Sequence, residues 1–393
     1  MKKFFMILTL TIIAALSIAA DANNSSFNFI NKITVSPKTN LSDDKELKKE
    51  FQVKAGGKLN LDLKSGSSIS VEGWDKDLLS ITVTIEGRDA DNVEYSFEQN
   101  GNNVKIESDY KEQRKNNKVT IKAAVMVPQK YNVEFSTMGG SVKFNNVNGE
   151  FEGQTMGGGF TLTSVKGKAQ MKTMGGSIKI LNCELDGNIE TMGGSIDVDN
   201  LVGDLDLSTM GGSIKQNNVK GKSNSGKELN ISTMGGAVEV DQAMNGAKVK
   251  TMGGPITVNK AAKFVEAETM GGEIEIKEID GKVKAETMGG NIEVKMVGNP
   301  GEGDREVFLK SMGGDITLTV PKNLSMDVEI EIGYDKHNDE VKIKSDFDLK
   351  IEKDVVKNKS RKMKYLIGTG SINGGKHKVK IITINGDVYL KKS

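Results

Sequence analysis

The stretch Thr191-Met192-Gly193-Gly194-Ser195-Ile196-Asp197-Val198 decides the fold. Its first four residues recur. Thr-Met-Gly-Gly begins at Thr137, Thr155, Thr173, Thr191, Thr209, Thr233, Thr251, Thr269 and Thr287, and a Ser-Met-Gly-Gly copy begins at Ser311. The steps are 18, 18, 18, 18, 24, 18, 18, 18 and 24 residues, so both long steps are one period plus six. A fixed period of this size marks a repeat architecture. The extra residues fall near Lys222–Lys227 and Asn299–Asp304, in the same half of the unit. They read as loops on one side of a regular stack.

Within the unit, side chains alternate with period two. With Thr as position one, position six is Val, Phe or Ile in every copy, from Val142 to Ile316. Position eight is apolar from Phe144 to Leu318 except at Gln216, and a polar column lies between the two. Apolar-polar-apolar predicts a strand with one buried face. Apolar residues also fill position eleven, which includes Cys183, and position seventeen from Met171 to Leu309. A short strand therefore leads into each Thr. Gly-Gly is expected to turn the corner, because glycine reaches φ > 0 freely.

Short strands and Gly corners every 18 residues predict an all-β fold, a single-stranded parallel β-solenoid with β-rich caps. Units would stack at ~4.8 Å and ten of them would span roughly 48 Å. The crossover rule favours right-handed coiling, although left-handed solenoids also use this repeat length. A calcium-bound nonapeptide roll needs a recurring Asp column, and none is present.

The expected organisation is a signal peptide over 1–22, a polar lead-in over 23–48, a β-rich cap with early coils over 49–136, the regular array over 137–320, and β-rich coils with a cap over 321–393. Lys64–Val71 and Thr383–Leu390 read as worn copies of the unit. Lys-rich stretches such as 357–362 suit a cap that blocks end-to-end pairing. Lys2 and Lys3, the apolar run from Phe4 to Leu16 and small residues around Ala20 make an export signal, too short for a confident membrane span. The expected location is the periplasm, the cell surface or the extracellular space, in a bacterium.

Composition narrows the function. Lys plus Arg is 54 and Asp plus Glu is 53. Loss of Lys2 and Lys3 leaves 52 against 53, which argues against a nucleic-acid partner. One Cys excludes an internal disulfide, and two His leave His-based triads and metal clusters poorly supplied. No cofactor is expected, and the mature chain carries no further transmembrane run.

The segment Phe51–Leu59, the Val71-Glu72-Gly73-Trp74-Asp75 stretch and the Thr-x-Gly-Gly-x-Ile coils resemble the bacterial β-strand-repeat "putative adhesin" family, a family of unknown function on exported proteins. The resemblance runs from about Phe51 to Leu390. It implies a β-repeat fold and export, and it carries over no catalytic or binding residue. The chain departs from the family in one way: Met follows the Thr in every copy, where family members often have a small polar residue.

The candidate functional column is therefore Met138, Met156, Met174, Met192, Met210, Met234, Met252, Met270, Met288 and Met312. If alternation continues past the Thr, these side chains point outward. They would then form an adaptable adhesive stripe or a soft-metal site. If the Gly pair breaks the alternation, they pack into the core. The Thr column is expected to stack as a structural ladder. Ice binding needs a flatter second rank than Ser141, Gly159, Pro255 and Glu273 provide.

Glu268, Glu286, Glu275 and Glu293 supply paired carboxylates, but glycoside cleavage needs one of them with a raised pKa. Cys183 reads as a small buried hydrophobe. Trp74 is either cap core or a sugar-stacking platform, and His337 and His377 are expected to face solvent. Taken together, the sequence predicts a non-enzymatic, adhesin-like envelope protein that binds envelope polysaccharide or another envelope protein. The alternatives are a periplasmic structural or regulatory module and, less favoured, a polysaccharide-active enzyme.

Overall fold

The computed structural model describes residues 34–35, 45–112, 117–221, 227–335, 340–355 and 363–393. The expected signal peptide, the loop residues 222–226, His337 and the basic run 357–362 lie outside the described residues. The described chain is all-β, with no α-helix and one 3-10 turn at Ala90–Asn92. Its 31 strands belong to one hydrogen-bonded sheet.

The repeat sets the register. Val142 pairs with Phe160, Phe160 with Ile178, Ile178 with Ile196 and Ile196 with Ile214, always in parallel and always one repeat apart. A second parallel ribbon carries the strand that ends on the Thr, as in Asn148–Thr155 against Lys166–Thr173. The six-residue insertions do not disturb this order. Ile214 pairs with Val238 and Ile292 with Ile316 across them.

Positions six, eight, eleven and seventeen face inward and make one continuous buried cluster, except that Gln216 is polar and that Met296, in register with Ile279, takes the buried place of Val297. Burying each Val, Leu or Ile contributes about 1.5–3 kcal/mol as an upper estimate, but only when a neighbouring unit covers it. In the first units Phe135, Phe144, Phe151 and Phe160 fill the interior, with ring centroids 5.1 to 5.8 Å apart.

Both ends depart from sequence order. Lys58–Leu63 and Ser68–Trp74 lie between Asn103–Tyr110 with Thr120–Pro128 on one side and Asn132–Thr137 with Val142–Asn145 on the other. At the far end His377–Ile384 and Val388–Lys392 lie between Val307–Ser311 with Ile316–Val320 and Met326–Tyr334 with Ile343–Ser345. The worn copies thus complete the stack from distant parts of the chain. The first of them is offset: Leu63, not Lys64, aligns with Thr137, while Ile69 aligns with Val142, so its corner is one residue longer.

Parallel pairing, expected for the stacked units, gives way to antiparallel pairing beyond these layers. Leu78–Glu86 runs antiparallel to Thr120–Pro128, and Lys45–Gln52 runs antiparallel to Leu78–Glu86. Met326–Tyr334, Lys364–Ile372 and Lys350–Val355 form the matching antiparallel set at the other end. The strand Lys45–Gln52 also starts inside the segment read as a loose lead-in. Of these pairs only Lys350–Val355 with Lys364–Ile372 joins successive strands; the others bring together strands separated by two intervening ones, so the antiparallel pairing at the ends is long-range and not a set of hairpins.

Candidate functional site

The corner of each unit is built from Thr and the second Gly. The Thr hydroxyl donates to the second-Gly carbonyl of the preceding unit: Thr173 to Gly158 at 2.6 Å, Thr191 to Gly176 at 2.8 Å and Thr251 to Gly236 at 3.0 Å. It accepts from the second Gly N–H of its own unit, as in Gly194 to Thr191 at 3.2 Å. Ser311 and Thr383 repeat the first contact on Gly290 at 2.8 Å and Gly314 at 2.7 Å. The ladder therefore runs from hydroxyl to backbone, not from hydroxyl to hydroxyl.

The glycines are needed for closeness, not for left-handed backbone. Neither Gly of the repeated pair has positive φ. A Cβ on Gly158, Gly194 or Gly254 would overlap the carbonyl of the second Gly one unit before it. The left-handed corner lies elsewhere, at position ten, where Asn146, Ser164, Asn182, Asn200 and Asn218 have φ between 49° and 58°. Asparagine tolerates that region, and here it also links units: Asn200 donates to Asn182 at 3.0 Å and Asn218 to Asn200 at 2.6 Å. Sequence reasoning missed this column, although the recurring Asn was its signal.

With Thr buried and pointing inward, the next residue points outward. The ten methionines from Met138 to Met312 are all exposed, at 38 to 56% of their full surface. Among the described residues the other exposed large apolar side chains are Val202, Met244 and Ile351. The backbone under the stripe is paired, as in Met270 N–H to Met252 carbonyl and Met288 N–H to Met270 carbonyl, both 3.2 Å. Beside Met252, Met270, Met288 and Met312 runs a shallow groove of ≈ 370 Å³ that Glu268, Glu286, Lys250 and Lys310 also line.

The carboxylates beside the stripe are ion-paired. Glu268 meets Lys250 at 3.3 Å and Lys284 at 3.4 Å, and Glu286 meets Lys284 at 2.8 Å. Desolvation is the largest influence on Glu268 and raises its pKa, but the two lysines together outweigh it and hold the group below its ordinary value. A general acid needs the opposite shift. Glu275 and Glu293 stand in register on neighbouring strands, with Lys277 3.9 Å from Glu275.

The remaining candidates fall mostly into structural roles. Cys183 is buried, its thiol donates to the Leu181 carbonyl at 3.2 Å, and burial pushes its pKa up. Trp74 is half-buried, its indole N–H donates to the Leu78 carbonyl at 2.7 Å, and the Lys76 ammonium lies 4.6 Å from its ring centroid. His377 corrects the sequence expectation: it is 6% exposed, because the final strands are inserted between two layers rather than laid on the outside. Gln216 is buried in its apolar column, and neither its amide nitrogen nor its oxygen has a partner.

Arg305, which the sequence did not single out, is fully buried at the second insertion. It donates to the Glu302 and Val297 carbonyls at 2.9 and 2.8 Å and pairs with Asp280 at 2.5 Å, which fixes the loop. Among the described residues no three His, Cys, Asp or Glu side chains gather in a metal-holding group, and no helix is long and apolar enough to cross a membrane.

No protein-family model matches the chain, and no curated protein matches it. Among solved structures it is similar to a "putative cell adhesion protein" from Clostridium sporogenes, at 11% identity over 89% of this chain and 100% of that one, with a TM-score of 0.21. It is also similar to a "putative adhesin" from Parabacteroides distasonis, at 14% identity over 70% of this chain and 97% of that one, with a TM-score of 0.25. A "putative lipid binding protein" from the same organism shares 13% identity over 88% and 96% of the two chains, with a TM-score of 0.22.

Proposed function

We propose that the chain is an exported, non-catalytic, adhesin-like protein whose 18-residue units coil into a β-solenoid, with the antiparallel strands at its two ends as caps. The methionine stripe is its contact surface. The observation that carries this reading is the exposure of all ten methionines at one register. Contiguous exposed apolar surface of this kind marks interaction sites. Identical weak contacts repeated on a rigid scaffold gain avidity of the order of 10²–10⁴ when a partner spans several of them. Envelope polysaccharide and envelope proteins are the partner classes that suit an exported chain.

The test is a binding screen of the purified chain against envelope glycans and envelope proteins, with product analysis on every hit. Met192→Ser with Met210→Ser should weaken binding and leave stability unchanged. Unchanged binding by that variant, or turnover of a glycan, would overturn the reading.

One observation favours a second reading, a scaffold or regulator docked by strand addition. Lys350–Val355 pairs only with Lys364–Ile372 among the described strands, and Ile351 on it is exposed. An edge of that kind can accept a partner's strand.

A further inference from the structure

We propose that the methionine stripe binds soft monovalent metal ions, Cu(I) or Ag(I), each held between the thioethers of successive units. The inference rests on the exposure of the stripe and not on the adhesive reading.

Apolar contact alone does not account for the column. Position eight, under apolar selection only, drifts among Phe144, Leu162, Ile180 and Val198 within this one chain. Position five drifts further, through Ser195, Ala237, Pro255 and Glu273. Position two is Met in all ten copies. Strand packing would favour a β-branched or aromatic residue at a half-exposed site. What is kept constant is therefore the thioether and not merely apolar bulk.

The spacing suits chelation. Parallel register sets successive methionines ~4.8 Å apart along the stack, a span that two flexible thioether side chains can close around one ion. One ion can sit between two sulfurs with little strain, and the flexible side chains let a third close in from the next unit. The backbone beneath is hydrogen-bonded from unit to unit, so the side chains start from points held in register. Thioethers select soft ions such as Cu(I) over oxygen-seeking ones.

The groove beside Met252, Met270, Met288 and Met312 is the best-developed stretch. Glu268 and Glu286 line it and offset part of the positive charge of Lys250, Lys284 and Lys310 that an arriving cation meets.

The test is calorimetric titration of the full chain with Ag(I), a redox-inert probe, in a Cys183→Val background that removes the one thiol. Native mass spectrometry supplies the stoichiometry. The expected result is about three to five ions per chain, two or three thioethers to each, and no comparable binding of Mg(II) or Zn(II). Changing Met252, Met270, Met288 and Met312 to Leu preserves volume and apolarity. It should remove the ions of that stretch, with a loss of the order of 10²-fold in their affinity as the chelate is lost. Circular dichroism confirms that the variant is folded.

Equal Ag(I) binding by the Leu variant, equal binding of Zn(II), or affinity no better than that of free methionine would overturn the proposal. The adhesive reading fails separately. Leu at these positions keeps an apolar contact surface, so partner binding survives in the variant that has lost the metal.

Discussion

The Thr191 hydroxyl donates to the Gly176 carbonyl one unit away at 2.8 Å, and at the same time accepts the Gly194 N–H at 3.2 Å. One buried side chain thus satisfies two backbone groups at a corner where the strand ladder is interrupted. Thr191→Val keeps the shape and removes both bonds. Each orphaned backbone group, being only part-buried, costs up to about 1–3 kcal/mol, so urea unfolding should show a loss of that order. Thr191→Ser should cost less, since Ser311 makes the same contact on Gly290. Equal stability of the Val variant would mean that the corner bonds contribute nothing.

The two glycines of a pair should respond differently to a methyl group. Gly193 has its nearest atoms at 3.5 Å, ordinary contact distance, whereas a Cβ on Gly194 would overlap the Gly176 carbonyl. Neither has left-handed φ, so strain of that kind does not enter. Gly193→Ala should change stability by no more than about 1 kcal/mol. Gly194→Ala should reach or exceed the ~1–3 kcal/mol typical of overpacking. Thermal melts of the two variants side by side decide the matter, and equal effects would contradict the close stacking.

Gln216 stands in register between Val198 and Val240 with both amide atoms buried and unpaired. Replacing a polar group that has no partner with an apolar one of similar size removes a desolvation penalty. Gln216→Val should therefore raise stability, by about 1–2 kcal/mol on the scale for such groups. A loss of stability in chemical denaturation would show that the amide has a partner in solution, such as a trapped water.

The columns were legible in the sequence because each is written ten times. Thr191 inward and Ile196 inward follow from alternation read across copies rather than within one. The two corners were harder to tell apart. Gly193-Gly194 drew the expectation of positive φ, yet the left-handed residues are Asn182 and Asn200, whose short amides both tolerate that backbone and bond along the stack. The ends were the least legible. Ile316 stacks on Val388, and Ile69 on Val142, across long stretches of intervening chain. No local pattern encodes a layer inserted out of order. The burial of His377 follows from that insertion and could not be read from its polar neighbours Lys376 and Lys378.

His377 should make stability depend on pH. Desolvation is the main cause that lowers its pKa, Lys376 and Arg305 add to the effect, and Asp304 and Glu306 oppose it. Its Nδ1 accepts the Arg305 backbone N–H at 3.4 Å, which requires that nitrogen to be unprotonated, and its buried Nε2 has no partner. A His whose folded pKa lies below its unfolded value binds fewer protons when folded. Stability then rises with pH between the lowered folded pKa and the unfolded value of about 6.5, and is level above it. Acidification from neutral pH through that window should destabilise the chain, as seen by unfolding midpoints measured at a series of pH values. His377→Gln, which does not titrate, should flatten the slope there even if it shifts the absolute stability. A slope that survives the substitution unchanged would assign the pH dependence to other groups.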